Sequence, residues 1–341
     1  MRPSRTFISV VIIVYDRREL IHDALKSLQR QTLNKDLFEV IVVSNIDISL
    51  EGFEDLNIKF VRSNSKKGSA KYAEGIRQSS GEIIAFLDDD DTFLPEKLQR
   101  VYNLLTQWQD VVFYRNQFFE TSNVDEPIVR NKSSQDLDFE IFSVSRNSTR
   151  RLFWNLKRSN LFRNTSTMCI RREFFYEARL EKLFLNDASV PDETLFLILF
   201  TLDKEVKIIN DKMVLTIYRL HTASFSHYED DMTMEMFINR RLMPTSLAIR
   251  FLKFASEIFQ NFPIIQDYIK LEMGSYHLLQ HLILGIKPSF EEIFSSMIFS
   301  IKRRSALILF VSIISLFFTI FLTKGLFSLV LPKLLLATFH S

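Results

Sequence analysis

The N-terminal half of the chain alternates short apolar runs with stretches in which apolar residues recur at helical spacing. Apolar runs of strand length cover residues 7–15, 38–43, 58–61 and 82–87. Residues 20–28 and 69–79, which lie between these runs, have apolar positions spaced as on one face of a helix. Strands separated by helices predict βαβ units, and therefore an α/β fold with a mostly parallel sheet flanked by helices.

Polar residues stand where the four predicted strands end. In chain order they are Tyr15-Asp16, Ser44-Asn45, Asn64, and the run from Asp88 to Asp91. Ligands of parallel sheets bind beyond the carboxyl ends of the strands, so we expect these four loops to converge on one cleft. The chain contains neither GxGxxG nor GxxxxGK[ST], which argues against the usual dinucleotide-binding and P-loop sites.

The run of four aspartates is the strongest chemical signal in the sequence. Adjacent carboxylates at the end of a buried strand repel one another, and a divalent cation is the simplest group that offsets the repulsion. Asp88 and Asp90 point the same way if the segment is extended, so both can face one ion. Carboxylate oxygens suit Mg²⁺ or Mn²⁺. The alternative is a solvated acidic turn.

Composition restricts the classes of protein that fit. The apolar fraction, 47% of 341 residues, is enough for a sizeable core. The net charge of +2 comes from residues 301–341, which carry basic residues and no acid, so a nucleic-acid-binding groove is not expected. Cys169 is the only cysteine, which excludes an intramolecular disulfide and a zinc cluster held by several thiolates.

The C-terminal third has a different pattern. Residues 231–300 predict helices broken at three prolines, with a capping box formed by Ser289 and Glu292. A basic cluster at 302–304 then precedes an apolar stretch, which predicts a transmembrane helix near 305–323. The cluster predicts a protein of the cell membrane whose catalytic domain faces the cytoplasm. The alternative for this stretch is a buried core helix.

A second apolar segment, 326–338, is shorter and is interrupted by a proline and a lysine. It predicts a short membrane segment or an interfacial helix. We therefore expect three regions: a catalytic domain over 1–230, a helical extension over 231–300 and a membrane-associated segment over 301–341.

Three segments of the N-terminal half resemble family 2 inverting glycosyltransferases of the GT-A fold. The first is Ser9 to Thr32, which resembles the opening strand and helix of that family. The second, from Asn64 to Ile76, resembles its donor-binding loop and helix, and the third, from Gly81 to Leu98, resembles its DxD segment. Ordered matches continue to about residue 226. The resemblance implies a Rossmann-like nucleotide-binding half and a nucleotide-sugar donor.

The resemblance also implies roles for individual residues in donor and metal binding. Asp90 would bind Mg²⁺ or Mn²⁺ between the donor phosphates, and Asp88 would contact the ribose or the metal. Lys71 would face the pyrophosphate, and Tyr15 would lie against the base. The remaining residues implied at the donor and metal sites are Asp16, Asn45, Asn64, Arg219 and, as a metal or diphosphate ligand, His221. The pair Ser44-Asn45 departs from the family, which usually has acids there, so the identity of the base is open.

The catalytic base implied by the resemblance is Asp192, with Glu193 as the alternative. A carboxylate here would take the proton from an acceptor hydroxyl as its oxygen attacks the anomeric carbon. Acids are also frequent at helix N-termini, and Pro191 suits a helix start, so the pair can have a structural role as well.

Taken together, the sequence predicts a membrane-anchored, metal-dependent inverting glycosyltransferase. Its partners would be a nucleotide sugar, with a UDP-sugar favoured, and a lipid-linked or cell-envelope glycan acceptor, and not a nucleic acid. Three alternatives stay open: a polyprenyl-phosphate sugar synthase, a catalytically degenerate scaffold that binds sugar nucleotides, and a nucleotidyltransferase. The last usually has a glycine- and lysine-rich N-terminal loop, which this chain lacks.

Overall fold

The computed structural model describes residues 6–15, 19–122, 139–159, 162–186, 188–220, 234–284, 286–305 and parts of 308–316. The chain divides into two compact units. The first comprises residues 1–148 and 160–220, and the second comprises 149–159 and 221–341.

The first unit is built on a nine-stranded mixed sheet with the order β3-β2-β1-β4-β8-β6-β9-β5, and β7 also pairs with β9. The strands are β1 Ile8–Val14, β2 Phe38–Ser44, β3 Ile58–Arg62, β4 Ile83–Asp88, β5 Thr92–Phe93, β6 Val111–Thr121, β7 Phe139–Val144, β8 Met168–Arg171 and β9 Val206–Arg219. The strands β1 to β4 pair in parallel, and β6 pairs in parallel with β9. The antiparallel strands are β5, β7 and β8. The predicted α/β fold with a sheet flanked by helices is confirmed, but the sheet is mixed, because four of the eight pairings between its described strands are antiparallel.

Helices cover both faces of this sheet. In chain order those of the first unit are α1 Ile21–Gln29, α2 Gly68–Gln78, α3 Lys97–Gln107, α5 Arg172–Glu177, α6 Leu180–Phe184 and α7 Pro191–Leu199. Alternate residues of β1, such as Val10 and Ile12, share a core with Leu25 of α1 and Val101 of α3. The opposite face of β1 packs against α2.

The close approach of α2 to the sheet depends on a glycine. A Cβ atom on Gly75 would lie 2.4 Å from Val11 and 2.9 Å from Val43. Only a residue without a side chain lets the helix backbone lie this near the strands. This contact fixes the start of α2 beside the carboxyl ends of β1 and β2.

The second unit is helical. It contains α4 Arg150–Arg158, α8 Met234–Ile258, α9 Pro263–Ile283 and α10 Phe290–Arg303. Trp154 of α4 packs against the rings of Tyr268 and Phe299, with centroids 5.9 and 6.1 Å away. These ring contacts attach α4 to α9 and α10.

The predicted helix boundaries in this unit were right at two of the three prolines. Pro263 starts α9, and Pro288 immediately precedes α10, whose N-terminus has the predicted capping box between Ser289 and Glu292. The predicted break at Pro244 was wrong, because α8 runs through it. A proline removes one backbone hydrogen bond, and the tertiary packing of a 25-residue helix can offset that loss.

The predicted membrane segments fall largely outside the described residues. Helix α10 ends at Arg303, and Arg304 adopts a left-handed conformation with φ of 56°. Residues 305–323 are described only in part, and 326–338 lie outside the described ranges. Within the part of the chain that is described, no helix combines the length and apolar character needed to cross a bilayer.

Candidate active site

The carboxyl ends of β1, β2 and β4 lie side by side. Val14 pairs with Ser44, and Ile13 pairs with Asp88, so the residues that follow these strands start from one edge of the sheet. The sequence predicted this convergence. Asp16 and His221, two of the predicted site residues, lie outside the described residues.

Lys71 connects three of the residues predicted for the donor site. Its ammonium group is fully buried and donates hydrogen bonds to the carbonyl of Val14 and to Oδ1 of Asn45, the latter at 2.8 Å. The same group lies 4.7 Å from the ring centroid of Tyr15. The structure therefore brings Tyr15, Asn45 and Lys71 together. Asn45 is the amide at the position where the resembled family usually has an acid, and here it accepts a hydrogen bond from the lysine.

The hydroxyl of Tyr15 lies against the first turn of α2. A Cβ atom on Gly68 would come within 2.2 Å of that hydroxyl, so a larger residue at position 68 would displace the ring. Asn64, on the loop between β3 and α2, is exposed. The ring of Tyr15 is thus positioned by the helix start, and Asn64 lies on the exposed loop that leads to it.

The four aspartates differ in their surroundings. Asp88 accepts a hydrogen bond from Tyr72 Oη at 3.0 Å, and Asp89 accepts one from the backbone amide of Tyr15 at 3.0 Å. Asp91 accepts one from the backbone amide of Arg219 at 3.1 Å. Asp89 and Asp91 are buried, whereas Asp88 and Asp90 are partly exposed. The partly exposed pair is the Asp88 and Asp90 pair that the sequence predicted to face one ion.

Burial and crowding raise the pKa values of these carboxyl groups. Burial, and then the charge of Asp90, raise the pKa of Asp88 to about 7. The same two causes raise the pKa of Asp91 well above its usual range, and within the described residues its Oδ2 atom has no hydrogen-bond partner. The charged form of these carboxyl groups is therefore disfavoured in the metal-free protein, and a divalent cation would stabilise it.

The described residues alone do not form a complete metal site. Among them, no group of three or more His, Cys, Asp or Glu side chains is arranged to hold an ion. Asp88 and Asp90 offer two carboxylates, and Mg²⁺ in such sites usually takes its remaining ligands from water and substrate phosphates. The donor set fits a metal ion shared with a bound diphosphate.

Arg219, for which a donor-site role was predicted, contacts the acidic turn. Its guanidinium group donates to the carbonyl of Asp90 at 3.0 Å and forms an ion pair with Asp23 at 2.5 Å. Its backbone amide binds Asp91. These contacts join β9 to the acidic turn, so Arg219 fixes the position of the turn.

A buried group beneath the acidic turn was missed by the sequence analysis. Lys97 is fully buried and donates to the carbonyl of Ser166 and, at 2.9 Å, to the hydroxyl of Thr216. The hydroxyl of Ser166 accepts a hydrogen bond from the Asp88 amide at 3.0 Å. Burial lowers the pKa of Lys97 to about 7. Through these hydrogen bonds Lys97 and Ser166 stabilise the position of the end of β4.

Asp192 and Glu193 lie in the first turn of α7, as the proline before them predicted. Asp192 is partly exposed, and its charge is one of those that raise the pKa of Asp88. The charge of Asp192 thus acts on Asp88, one of the two partly exposed aspartates of the acidic turn. Asp192 Oδ1 also accepts a hydrogen bond from the Glu193 amide at 2.9 Å, a local contact of the helix start.

Comparison with known proteins assigns the family. Residues 9–180, half of the chain, match the model for glycosyl transferase family 2. The chain belongs to this family. It is 34% identical over 96 residues to a GalNAc(5)-diNAcBac-PP-undecaprenol beta-1,3-glucosyltransferase of Campylobacter jejuni, a match that covers 26% of this chain and 30% of that one. The chain spans about half or less of the length of the curated relatives that it matches.

Solved structures share the fold of this family 2 member over most of its length. S. aureus TarS 1-349, in complex with UDP-GlcNAc, superimposes with a TM-score of 0.53 at 15% identity, covering 97% of this chain and 92% of the TarS 1-349 chain. A mannosyltransferase from Pyrobaculum calidifontis, in complex with GDP-Man and Mn²⁺, gives 0.51 at 14% identity, covering 93% and 88%. At these identities the likeness establishes the fold alone.

Proposed function

We propose that the chain transfers a sugar, with inversion, from a nucleotide-sugar donor to a hydroxyl group of an acceptor glycan. The carrying observation is that the acidic turn after β4 and the Lys71 group lie at one edge of the sheet, and that the charge of Asp192 acts on Asp88. Family membership supports the same reaction class. A UDP-sugar is the favoured donor, in line with the UDP-GlcNAc bound to TarS.

In this proposal the donor lies across the ends of β1 and β2. The ring of Tyr15 provides an apolar face for the base. Asn45 can both donate and accept hydrogen bonds, which suits the edge of a base or a ribose. The Lys71 ammonium, 2.8 Å from Asn45 Oδ1, supplies positive charge for the diphosphate.

Asp88 and Asp90 would hold Mg²⁺ or Mn²⁺. When bound, the ion would neutralise charge on the departing nucleoside diphosphate. Arg219 contributes by keeping the acidic turn in position through its bonds to the Asp90 carbonyl and the Asp91 carboxylate. The predicted third contact, His221, remains a proposal that the described residues do not address.

Asp192 would act as the base. Its carboxylate takes the proton from the acceptor hydroxyl while the acceptor oxygen bonds to the anomeric carbon and the bond to the diphosphate oxygen breaks. One displacement of this kind inverts the anomeric configuration. Glu193, the next residue in the same helical turn, is the alternative base.

The acceptor would be a lipid-linked or other envelope glycan, handled at the cytoplasmic face of the cell membrane. The name of the Campylobacter jejuni relative describes an undecaprenol-linked acceptor for that protein. The apolar sequence over 305–323 and its basic flank support a membrane location for this chain.

The experiment is a donor assay with the purified full chain in detergent. A panel of UDP-, GDP- and dTDP-sugars is incubated with Mn²⁺ or EDTA, and the released nucleotide is measured for wild type, Asp90→Ala and the exposed-site control Asp36→Ala. The proposal expects metal-dependent release of a nucleoside diphosphate, lost in Asp90→Ala and kept in Asp36→Ala.

The other outcomes separate the alternatives. Release of pyrophosphate would indicate a nucleotidyltransferase. Transfer to polyprenyl phosphate in preference to glycan acceptors would indicate a polyprenyl-phosphate sugar synthase. Nucleotide binding without turnover across the donors and a broad acceptor panel would support a scaffold and contradict the proposed reaction.

A further inference from the structure

The outer face of α10 is apolar. Phe290, Phe294, Ile298 and Ile301 are between 46% and 63% exposed. They recur at intervals of four, four and three residues, so they form one stripe along the helix. Leu284 and Ile286, just before α10, are also nearly half exposed. We call the four α10 residues the apolar stripe.

The inner face of α10 combines two apolar residues, Ile293 and Phe299, with buried serines. Ser295, Ser296 and Ser300 are at most 8% exposed. The Ser296 hydroxyl shares a hydrogen bond with Ser275 of α9 at 3.3 Å and accepts one from Ser312 at 2.9 Å.

The contact between α9 and α10 depends on small residues. A Cβ atom on Gly274 would lie 2.5 Å from the Cβ of Ser295. Small residues and serine hydrogen bonds between helices, with apolar side chains outside, are typical of helices that contact lipid. The small residues on the inner face of α10 and the apolar residues on its outer face therefore both indicate contact with lipid.

The charged residues at the two ends of α10 indicate which kind of surface the apolar stripe contacts. Lys302, Arg303 and Arg304 follow the stripe directly, and Arg304 is exposed. At the other end, Glu291 is within 3.7 Å of Lys270 and Glu292 contacts His281 at 3.1 Å, so both acids have cationic or hydrogen-bonding partners. Lys302 lies over the ring of Trp154 and Arg303 donates to the carbonyl of Lys157, so Arg304 is the exposed cation of the three. An apolar stripe that ends beside an exposed cation complements a lipid surface with anionic headgroups.

We infer that the apolar stripe of α10 binds an anionic lipid surface, with the helix lying in the plane of the interface. The helix has 14 residues and is therefore about 21 Å long, shorter than the hydrocarbon core of about 30 Å. This contact is separate from the predicted transmembrane segment and does not depend on the proposed reaction.

The test must distinguish vesicle binding through the apolar stripe from vesicle binding through the apolar sequence that follows α10. We would label the full chain with an environment-sensitive thiol fluorophore at Ile298→Cys, and separately at Ile258→Cys. Ile258, on α8, is exposed to the same extent, 46%, and serves as the matched control. The native Cys169 is buried, and burial raises the pKa of its thiol to about 12, so the introduced cysteine reacts selectively.

The labelled proteins are added to phosphatidylglycerol vesicles that contain lipids brominated on the acyl chains. We expect strong quenching of the label at position 298 and little at position 258. Vesicle binding without preferential quenching at 298, or failure to bind, overturns the inference. Burial of the 298 label before vesicles are added also overturns it, because the chain's own C-terminal residues or a second copy would then cover the stripe.

The contribution of charge is measured with Arg304→Gln. We expect about fivefold weaker partitioning onto phosphatidylglycerol vesicles, since a basic residue near an anionic surface contributes roughly that factor. Partitioning onto phosphatidylcholine vesicles should not change. Equal loss on both lipids would contradict the assignment of an anionic surface.

Discussion

The sheet edge of the first unit and the contact between α9 and α10 of the second unit differ in the polar groups that predominate. At the sheet edge the buried groups are charged, and they include Lys71, Asp89 and Asp91. Between α9 and α10, serine hydroxyls bond to one another beside the largely buried Glu272, and the exposed side of α10 is apolar.

The difference indicates what each region binds. Burying charge costs several kcal/mol unless partners offset it, and such cost is usually retained at functional sites. Buried serine hydroxyls that are hydrogen-bonded cost little, and the unfavourable term there is the apolar surface left in water. The sheet edge therefore fits a small charged ligand, whereas α10 fits an extended apolar surface.

The largest expected effect is on the chemical step. Asp192→Asn should lower the transfer rate about 10²- to 10⁴-fold, because the acceptor hydroxyl loses its base, while nucleotide affinity stays the same. Steady-state transfer and nucleotide titration measure the two quantities. Asp203→Asn, at a side chain that is 82% exposed, is the matched control. A normal rate in Asp192→Asn together with a large loss in Glu193→Gln would assign the base to Glu193.

Replacement of the buried lysine should weaken donor binding. Lys71→Met removes a charge-assisted contact, and donor affinity should fall about 10- to 100-fold. The loss of the hydrogen bonds to the Val14 carbonyl and to Asn45 Oδ1 should also reduce the free energy of unfolding by about 1–3 kcal/mol. Calorimetry measures the donor affinity, and urea unfolding measures the free energy of unfolding. Lys59→Met, on the exposed edge of β3, should change neither, and unchanged donor affinity in Lys71→Met would remove Lys71 from the donor site.

The stability of the metal-free protein should depend on pH through Asp88. Its pKa is about 7 in the folded state and 3.8 ordinarily, so the folded state binds the proton more tightly. The free energy of unfolding should therefore fall as the pH rises from about 4 to about 7. Asp88→Asn should recover about 2–4 kcal/mol at pH ~8 and little at pH ~4.

Urea unfolding in EDTA at both pH values checks this dependence. Asp36→Asn, which alters an exposed carboxyl group, is the control. A stability gain in Asp88→Asn that is equal at both pH values, or a loss at the higher one, would contradict the assigned shift.

In the second unit, Gly274→Ala should destabilise the helix pair. The added Cβ meets Ser295 at 2.5 Å, and overpacking of this kind costs about 1–3 kcal/mol. Lys270→Ala on the exposed side of α9 is the control. Thermal unfolding monitored by circular dichroism measures both, and a stabilised Gly274→Ala variant would rule out the close approach of the two helices.

The smallest expected effect concerns the stripe. Ile298→Ser in detergent-free buffer should change the free energy of unfolding by no more than about 0.5 kcal/mol, as exposed substitutions do. Ile293→Ser, at a fully buried position of the same helix, should cost about 2–5 kcal/mol. Similar losses at both positions would mean that the outer face of α10 is covered.

The sequence was sufficient to predict the strands and helices of the first unit, because strand and helix patterns depend on residues that are near one another in the chain. It was also sufficient to predict that the strand ends converge, because parallel neighbouring strands end at the same edge of a sheet. It could not predict the Lys97 group. Lys97 and Ser166 are 69 residues apart, and nothing in the local pattern indicates that a lysine will be fully buried.

The orientation of α10 was also beyond the sequence. Apolar residues occupy all sides of this helix, including Ile293, Ile298 and Phe299. Which side turns inward is decided by the serine contacts with α9, and these exist only in the folded unit. Arg219 is a similar case, since its position was predicted but its bonds to Asp23 and the Asp90 carbonyl were not.

The central claim is that the acidic edge of the sheet binds a metal ion together with a nucleoside diphosphate. Calorimetric titration of UDP into the full chain, with Mn²⁺ or with EDTA, tests it most directly. The account predicts binding that requires Mn²⁺ and is lost in Asp90→Asn but kept in Asp36→Asn. UDP binding of equal strength in EDTA and in Asp90→Asn would contradict it.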